Sequence, residues 1–369
     1  MGIPIRQEEL MAAYRINPGL RMVERADTVQ IGYGSRGMVL SGTDAGDLRF
    51  LQLLRRGLLE GELAAAAGRC GISPERCRGL LAALEPVLVD SAAPGPAGLR
   101  ADRLAPDVAH WSAVYGCDSG ELLRRRADAA VHLIGLGRTG GAIACALAAA
   151  GVGTLLLEDG ATVGPADVGS GAYRLGDVGL NRAQAARKMI AHIDPTASTH
   201  IMPNTTAPGT AASRPRFLDL VVYTDRDVPS PEAARALAEC GNPHLPVLLR
   251  ECDALVGPLV VPGETACLDC VDRHQAGQDP DWNEISVLLR QEAAADLPSV
   301  DEAAQSVAAA GLAALQALLF LDGRNRPAAW SAVLQLRSGD GTVGRHEYSH
   351  HDGCICQLQP GLRPSRQAS

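Results

Sequence analysis

Four cysteines fall into two closely spaced pairs, Cys267-x-x-Cys270 and Cys354-x-Cys356, and pairs of this kind chelate. Four thiolates suit a tetrahedral zinc ion in a closed structural site with no open position for catalysis. The plain alternative is four buried thiols without metal. The other cysteines, Cys70, Cys77, Cys117, Cys145, Cys240 and Cys252, have no ligand spacing. A second constellation is Gly135, Gly137 and Gly140 in G-x-G-x-x-G spacing, directly after the apolar run Val131 to Ile134. Glycines there let the backbone turn tightly and approach a phosphate, whose charge the following helix N-terminus favours. About twenty residues on, the next apolar run ends in Glu158-Asp159, placed to bond a ribose. ATP and a dinucleotide both satisfy this pattern, and a turn that needs glycine only for packing is the bland alternative.

These residues need strands and helices to position them. From Ala129 onward the two alternate: VHLIGLG, a helix from Thr139 to Ala150, strand TLLLED, a helix from Leu180 to Ile193, strand LDLVVYT, a helix from Pro231 to Cys240, and strand LPVLLRE. Such alternation predicts an α/β fold, a Rossmann-like, doubly wound, mostly parallel sheet. Ahead of it, Thr28 to Gly32 and Met38 to Leu40 flank Gly34-Ser35-Arg36-Gly37 as a hairpin. Helical stretches follow over Asp44 to Leu54, Leu59 to Gly68 and from Ser73-Pro74, a capping serine with a proline at the first helical position. A hairpin with helices predicts a small winged-helix-like α+β domain. The expected organisation is this domain over 1–90, an Ala/Pro/Gly-rich linker over 91–106, the nucleotide-binding domain over 107–356, and a polar, disordered tail over 357–369.

Composition limits the function classes. Hydrophobic residues make up 46% but aromatics 3%, so the core must be built from Ala, Leu, Val and Ile. A net charge of −8, with no basic run beyond Arg124-Arg125-Arg126, argues against nucleic-acid binding. The start MGIPIRQEEL lacks the features of a signal peptide, so a cytoplasmic location is expected. Ser306 to Leu321 is apolar but shorter than the roughly 20 residues a bilayer needs, so a buried helix is expected rather than a membrane span.

The segment VHLIGLGRTGGAIACALAAAGVGTLLLEDGATV resembles the ThiF/MoeB/HesA family of adenylyltransferases. Further matches follow in order: Asp177-Val178-Gly179, Tyr223-Thr224-Asp225, the stretch Pro262 to Cys270, and the helix before Asp322-Gly323, together covering 129 to 356. The resemblance implies that Gly135, Gly137 and Gly140 hold ATP phosphates, Asp159 the ribose and Asp225 a magnesium ion. Arg182 stands where the family has a catalytic lysine. The chain also departs from the pattern, since Asp167 and Ser170 replace an asparagine and a triphosphate-binding arginine. Arg174, Arg187 or Lys188 are the candidates to compensate, while a carboxylate at 167 would repel a triphosphate. Thioester-forming relatives need a cysteine after the first C-x-x-C, and none lies between Val271 and Gly353.

The domain order and the weakened ATP residues resemble the leader-peptide-binding partners of YcaO cyclodehydratases in ribosomal-peptide (thiazole/oxazole) biosynthesis. The resemblance implies a precursor leader peptide and a YcaO-type cyclodehydratase as partners; a homodimer, common among relatives, stays open. The leader would add a strand to the hairpin between Asp27 and Leu40 and reach apolar Leu80, Leu81 and Leu84. Two alternatives remain: an active adenylyltransferase acting on a peptide or small-protein C-terminus, and an NAD-dependent oxidoreductase using the same loop.

Overall fold

The computed structural model describes residues 13–25, 27–33, 37–91, 98–203, 218–293 and 301–358. The turn at Gly34-Ser35-Arg36 and the expected tail beyond 358 lie outside them. The chain forms two compact units, 1–124 and 125–369.

In the first unit β1 (Ala13–Ile16), β2 (Met22–Glu24), β3 (Thr28–Ile31) and β4 (Met38–Ser41) precede α1 (Ala45–Arg56), β5 (Leu58–Leu59), α2 (Leu63–Cys70), α3 (Pro74–Leu84) and β6 (Leu88–Ser91). They make two three-stranded sheets, β2-β3-β4 and β5-β1-β6. Asp44 and Asp47 close a capping box on α1, and Ser73 caps α3 with Pro74 at its first position. Val29 and Ile31 from β3, Phe50, Leu51 and Leu54 from α1, and Leu80 and Leu84 from α3 share one core. Leu80 and Leu84 are therefore not groove surface as expected. Helical spacing turns them inward and leaves Leu81 half-buried.

The expected linker is helix from Leu99 onward: α4 (Leu99–Tyr115) belongs to the first unit. Asn17 donates to Ser112 O at 2.7 Å, and a Cβ on Gly19 would come within 2.0 Å of Ala109 O, so α4 packs closely on the chain ahead of β2. Pro106 inside α4 disguised it, because proline reads as a helix breaker while Leu104 and Trp111 bury one face seven residues apart. Helix α5 (Gly120–Asp128) carries the chain into the second unit.

The second unit contains β7 (Ala130–Ile134), α6 (Arg138–Ala149), β8 (Thr154–Glu158), α7 (Arg182–Ile193), β9 (Ser198–Ile201), β10 (Leu220–Arg226), α8 (Pro231–Cys240), β11 (His244–Leu249) and β12 (Asp253–Val256). Then come α9 (Leu268–Gln278), α10 (Trp282–Ala293), α11 (Ala303–Asp322), β13 (Ala332–Arg337) and β14 (Val343–Glu347). All eight strands form one sheet in the order β14-β13-β12-β11-β10-β7-β8-β9. It is parallel from β11 to β9, and an antiparallel extension of β12, β13 and β14 completes it. The order reverses between β7 and β10, and such a switch point opens a crevice beyond the carboxyl ends of the strands. The apolar α11 packs on α6 and on the sheet as a core helix does, with Ala309 clustered against Leu249, Ala254 and Leu336 and with Ala310, Ala313 and Ala317 buried. Arg126, at the end of α5, forks onto Asp322 at 2.7 and 2.5 Å, both side chains buried.

Candidate functional site

At the crevice β7 runs into the glycine loop, and each glycine meets a different constraint. Gly135 has φ +81°, and a Cβ there would lie 2.5 Å from Thr224 O at the end of β10. A Cβ on Gly140 would lie 2.0 Å from Gly135 O, so that glycine serves close packing of α6. Gly137 caps α6, and a Cβ there would meet Asp167 Oδ1 at 3.7 Å, Asp301 Oδ2 at 3.9 Å and Arg182 Nη1 at 4.0 Å, ordinary van der Waals contact without a clash. Thr224 Oγ1 donates to Gly135 O at 2.7 Å and fastens β10 to the loop.

Asp159, beyond the end of β8, accepts from Leu136 N at 2.7 Å and Ala161 N at 2.8 Å. Arg182 opens α7 and faces the same loop, its Nη1 at 3.5 Å from Asp159. The main partner of Arg182, however, is Asp167, which it grips through Nε at 3.0 Å and Nη2 at 2.8 Å. Burial alone would depress the Arg182 pKa, but the charges of Asp167 and Asp159 outweigh it and raise the value. Asp167 is thus a buried carboxylate with its own counter-ion, and the guanidinium is engaged.

Ser170 is exposed. Lys188, expected with the nucleotide, pairs instead with Asp177 at 2.9 Å and is half exposed. It stands six positions past Arg182, roughly 240° around α7, and so points elsewhere. Arg174 donates to Gly169 O at 3.0 Å. Asp225, the expected magnesium ligand, accepts from Tyr223 OH, from Arg226 N at 2.9 Å and from Ser230 N at 3.3 Å. Burial pushes its pKa up against the lowering by those bonds.

One site residue escaped the sequence analysis. Arg138, an x of G-x-G-x-x-G, reaches Val168 O and Asp301 O, each at 2.8 Å. A cation inside the glycine motif was the available signal.

The four cysteines converge as their spacing predicts. Cys267 caps α9 and Cys270 sits in its first turn, while Cys354 and Cys356 flank Ile355 beyond β14. Their Sγ atoms are 3.8 Å (267–270), 3.6 Å (267–354) and 3.5 Å (270–356) apart, and all four lie within 4.8 Å of one another. A regular ZnS4 tetrahedron with Zn–S of about 2.3 Å has edges of about 3.8 Å, so the donor set fits zinc. Burial pushes the thiols of Cys267, Cys354 and Cys356 up to about 12, so without a cation they hold their protons. The Cys270 value is lowered: burial raises it, and hydrogen bonds led by that from His351 N prevail. Beyond β10 and β11 a cavity of about 590 Å³ opens beside Asp227, Val228, Leu248, Trp282 and Tyr348.

Comparisons with known proteins come from family, sequence and structure. A search of curated proteins by sequence gives no match. The fold is similar to that of Escherichia coli MccB solved with AMPCPP and MccA, with a TM-score of 0.70 and 15% identity over 94% of this chain and 100% of that one. MccB with ATP gives a TM-score of 0.68 and 15% identity over 94% and 99%. PaaA gives a TM-score of 0.66 and 18% identity over 90% and 99%. At such identities the likeness is one of fold. The family model of the ThiF family matches residues 114–356, about two thirds of the chain. The chain belongs to the ThiF family.

Proposed function

We propose that this protein handles a ribosomally made precursor peptide: its first unit captures the leader, its second is a scaffold with weakened adenylation residues, and a YcaO-type cyclodehydratase partner performs the chemistry. The observation that carries this reading is the Asp167–Arg182 pair beside Gly137. Phosphoryl chemistry depends on free cations over the developing charge, and here the cation facing the loop is held by an internal carboxylate. Peptide handling is supported by the fold's likeness to MccB, a microcin C7 biosynthetic enzyme solved with N-formylated MccA. For capture, among the described residues β4 pairs only with β3, and its other edge would accept an added strand. Arg76 of α3 donates to Gly42 O at 2.8 Å, bringing that helix to the end of the edge, and Val39 on β4 is exposed.

Titrating the full chain with labelled leader from a neighbouring precursor gene tests capture. Saturable binding that Val39→Pro weakens is expected, and no saturable binding would sink the reading. An active adenylyltransferase keeps one observation on its side, the intact glycine loop with Asp225 close by. ATP–pyrophosphate exchange decides between them: the scaffold reading expects little exchange, and strong peptide-stimulated exchange abolished by Asp225→Ala would establish the enzyme.

A further inference from the structure

Asp227 stands one residue beyond β10, where its N–H donates to Leu249 O at 3.0 Å and its backbone takes φ +52°. Asp and Asn are the side chains best tolerated in that left-handed region. The half-buried Asp227 lines the cavity of about 590 Å³, a volume within the range of small-ligand sites. Leu248 of β11, Leu255 of β12 and Val333 of β13 give the same cavity an apolar lining. Trp282 and Tyr348 also line it, and both rings are fixed: Trp282 Nε1 donates to Asp272 at 2.7 Å, and Tyr348 OH accepts from Gln275 Nε2 at 3.0 Å.

The charges around the cavity do not balance. Of the arginines lining it, Arg250 forks onto Asp253 at 2.6 and 2.5 Å, and Arg345 pairs with Glu347. Among the described residues the Asp227 carboxylate forms no hydrogen bond or ion pair. Nearby, the charges of Arg226 and Arg250 are set against those of Glu251 and Asp225, which leaves no surplus of positive charge for it. A carboxylate without a counter-ion, in a cavity with two aromatic rings and an apolar lining, suits a long cationic side chain. The alkyl stem packs on the apolar residues, while the charged head meets the carboxylate and the ring faces. A bare metal ion would gain nothing from the rings or the apolar lining.

We propose that this cavity binds the side chain of an arginine or lysine in a peptide, with Asp227 as its counter-ion. The peptide as source of the cation rests on the protein being a peptide handler; the cavity's preference for an organic cation does not.

Ligand-observed NMR titration of the full chain with N-acetyl-arginine amide and, separately, with its neutral isostere N-acetyl-citrulline amide tests it. The arginine probe should bind saturably and at least about tenfold more tightly than the citrulline probe, the scale of one charge-assisted hydrogen bond. Asp227→Asn keeps a residue suited to the left-handed turn, so it should leave the melting temperature and the citrulline affinity unchanged and bring arginine down to the citrulline level. Equal affinity of the two probes for the wild type, an arginine preference that survives Asp227→Asn, or no binding of either probe overturns the proposal. Magnesium binding that Asp227→Asn abolishes also overturns it, because it makes the carboxylate a metal ligand. The full precursor peptide should displace the arginine probe. A chain that binds the leader yet keeps the probe in place overturns the peptide as the source of the cation, whereas a chain that binds the probe but no leader overturns leader capture alone.

Discussion

Gly135, Gly137 and Gly140 share one motif but answer to different constraints, and substitution should separate them. Gly137→Ala places its Cβ no nearer than 3.7 Å to any neighbour, ordinary van der Waals contact, at an ordinary backbone conformation, φ −62°, and should leave the denaturant midpoint near wild type. Gly140→Ala drives a Cβ to within 2.0 Å of Gly135 O, backbone against backbone, and should cost about 1–3 kcal/mol or more. Equal midpoints for the two variants would contradict this assignment. The charged residues were harder to interpret from their positions alone. Asp167 reads as a repulsive carboxylate in the sequence, whereas in the fold it is the counter-ion of Arg182. Lys188 reads as a spare cation, and Asp177 holds it. A side chain's type is visible in the sequence, but its partner fifteen residues away is chosen by how the loop and α7 come together.

At the scale of elements, the sequence showed best what local chemistry enforces. Serine caps with a following proline open both α3 and α8, at Ser73-Pro74 and Ser230-Pro231, where each hydroxyl accepts from a first-turn N–H. The antiparallel strands β12 to β14 were missed because short strands that extend a sheet carry little pattern of their own. The cysteine centre joins two such elements, the start of α9 and the turn after β14. We expect one zinc per chain by elemental analysis under reducing conditions, and Cys354→Ser or chelation should lower the melting temperature of the second unit. Zinc released on mild acidification should accompany that loss, since thiolates must be protonated to let it go. A metal-free, equally stable protein would leave four buried thiols as the correct description.

For the molecule as a whole, two compact units imply two sets of stabilising contacts that respond to different conditions. Chelation should act on the second unit through its cysteines, and acid on the first through Asp47. The Arg76 side chain, bonded to the buried Asp47 carboxylate at 2.6 Å, holds its pKa below the usual 3.8. A depressed folded-state pKa means that the pair's contribution is complete above the unfolded value and is lost as pH falls through the folded one. Stability of the first unit should therefore decline below about pH 4, and Asp47→Asn, costing about 1–3 kcal/mol at pH 7, should flatten that decline. An unchanged acid profile in Asp47→Asn would refute it. The sequence by itself determined the alternation of strands and helices, the cysteine pairs and the glycine loop, because hydrophobic period, chelate spacing and backbone sterics act over a few residues. Only the tertiary structure decided that α4 packs with the first unit, that Leu80 and Leu84 lie in the core, and that Asp167 holds Arg182 while Asp177 holds Lys188. Those outcomes depend on which distant surfaces meet and which charges they bring into hydrogen-bonding range, and no local pattern records that.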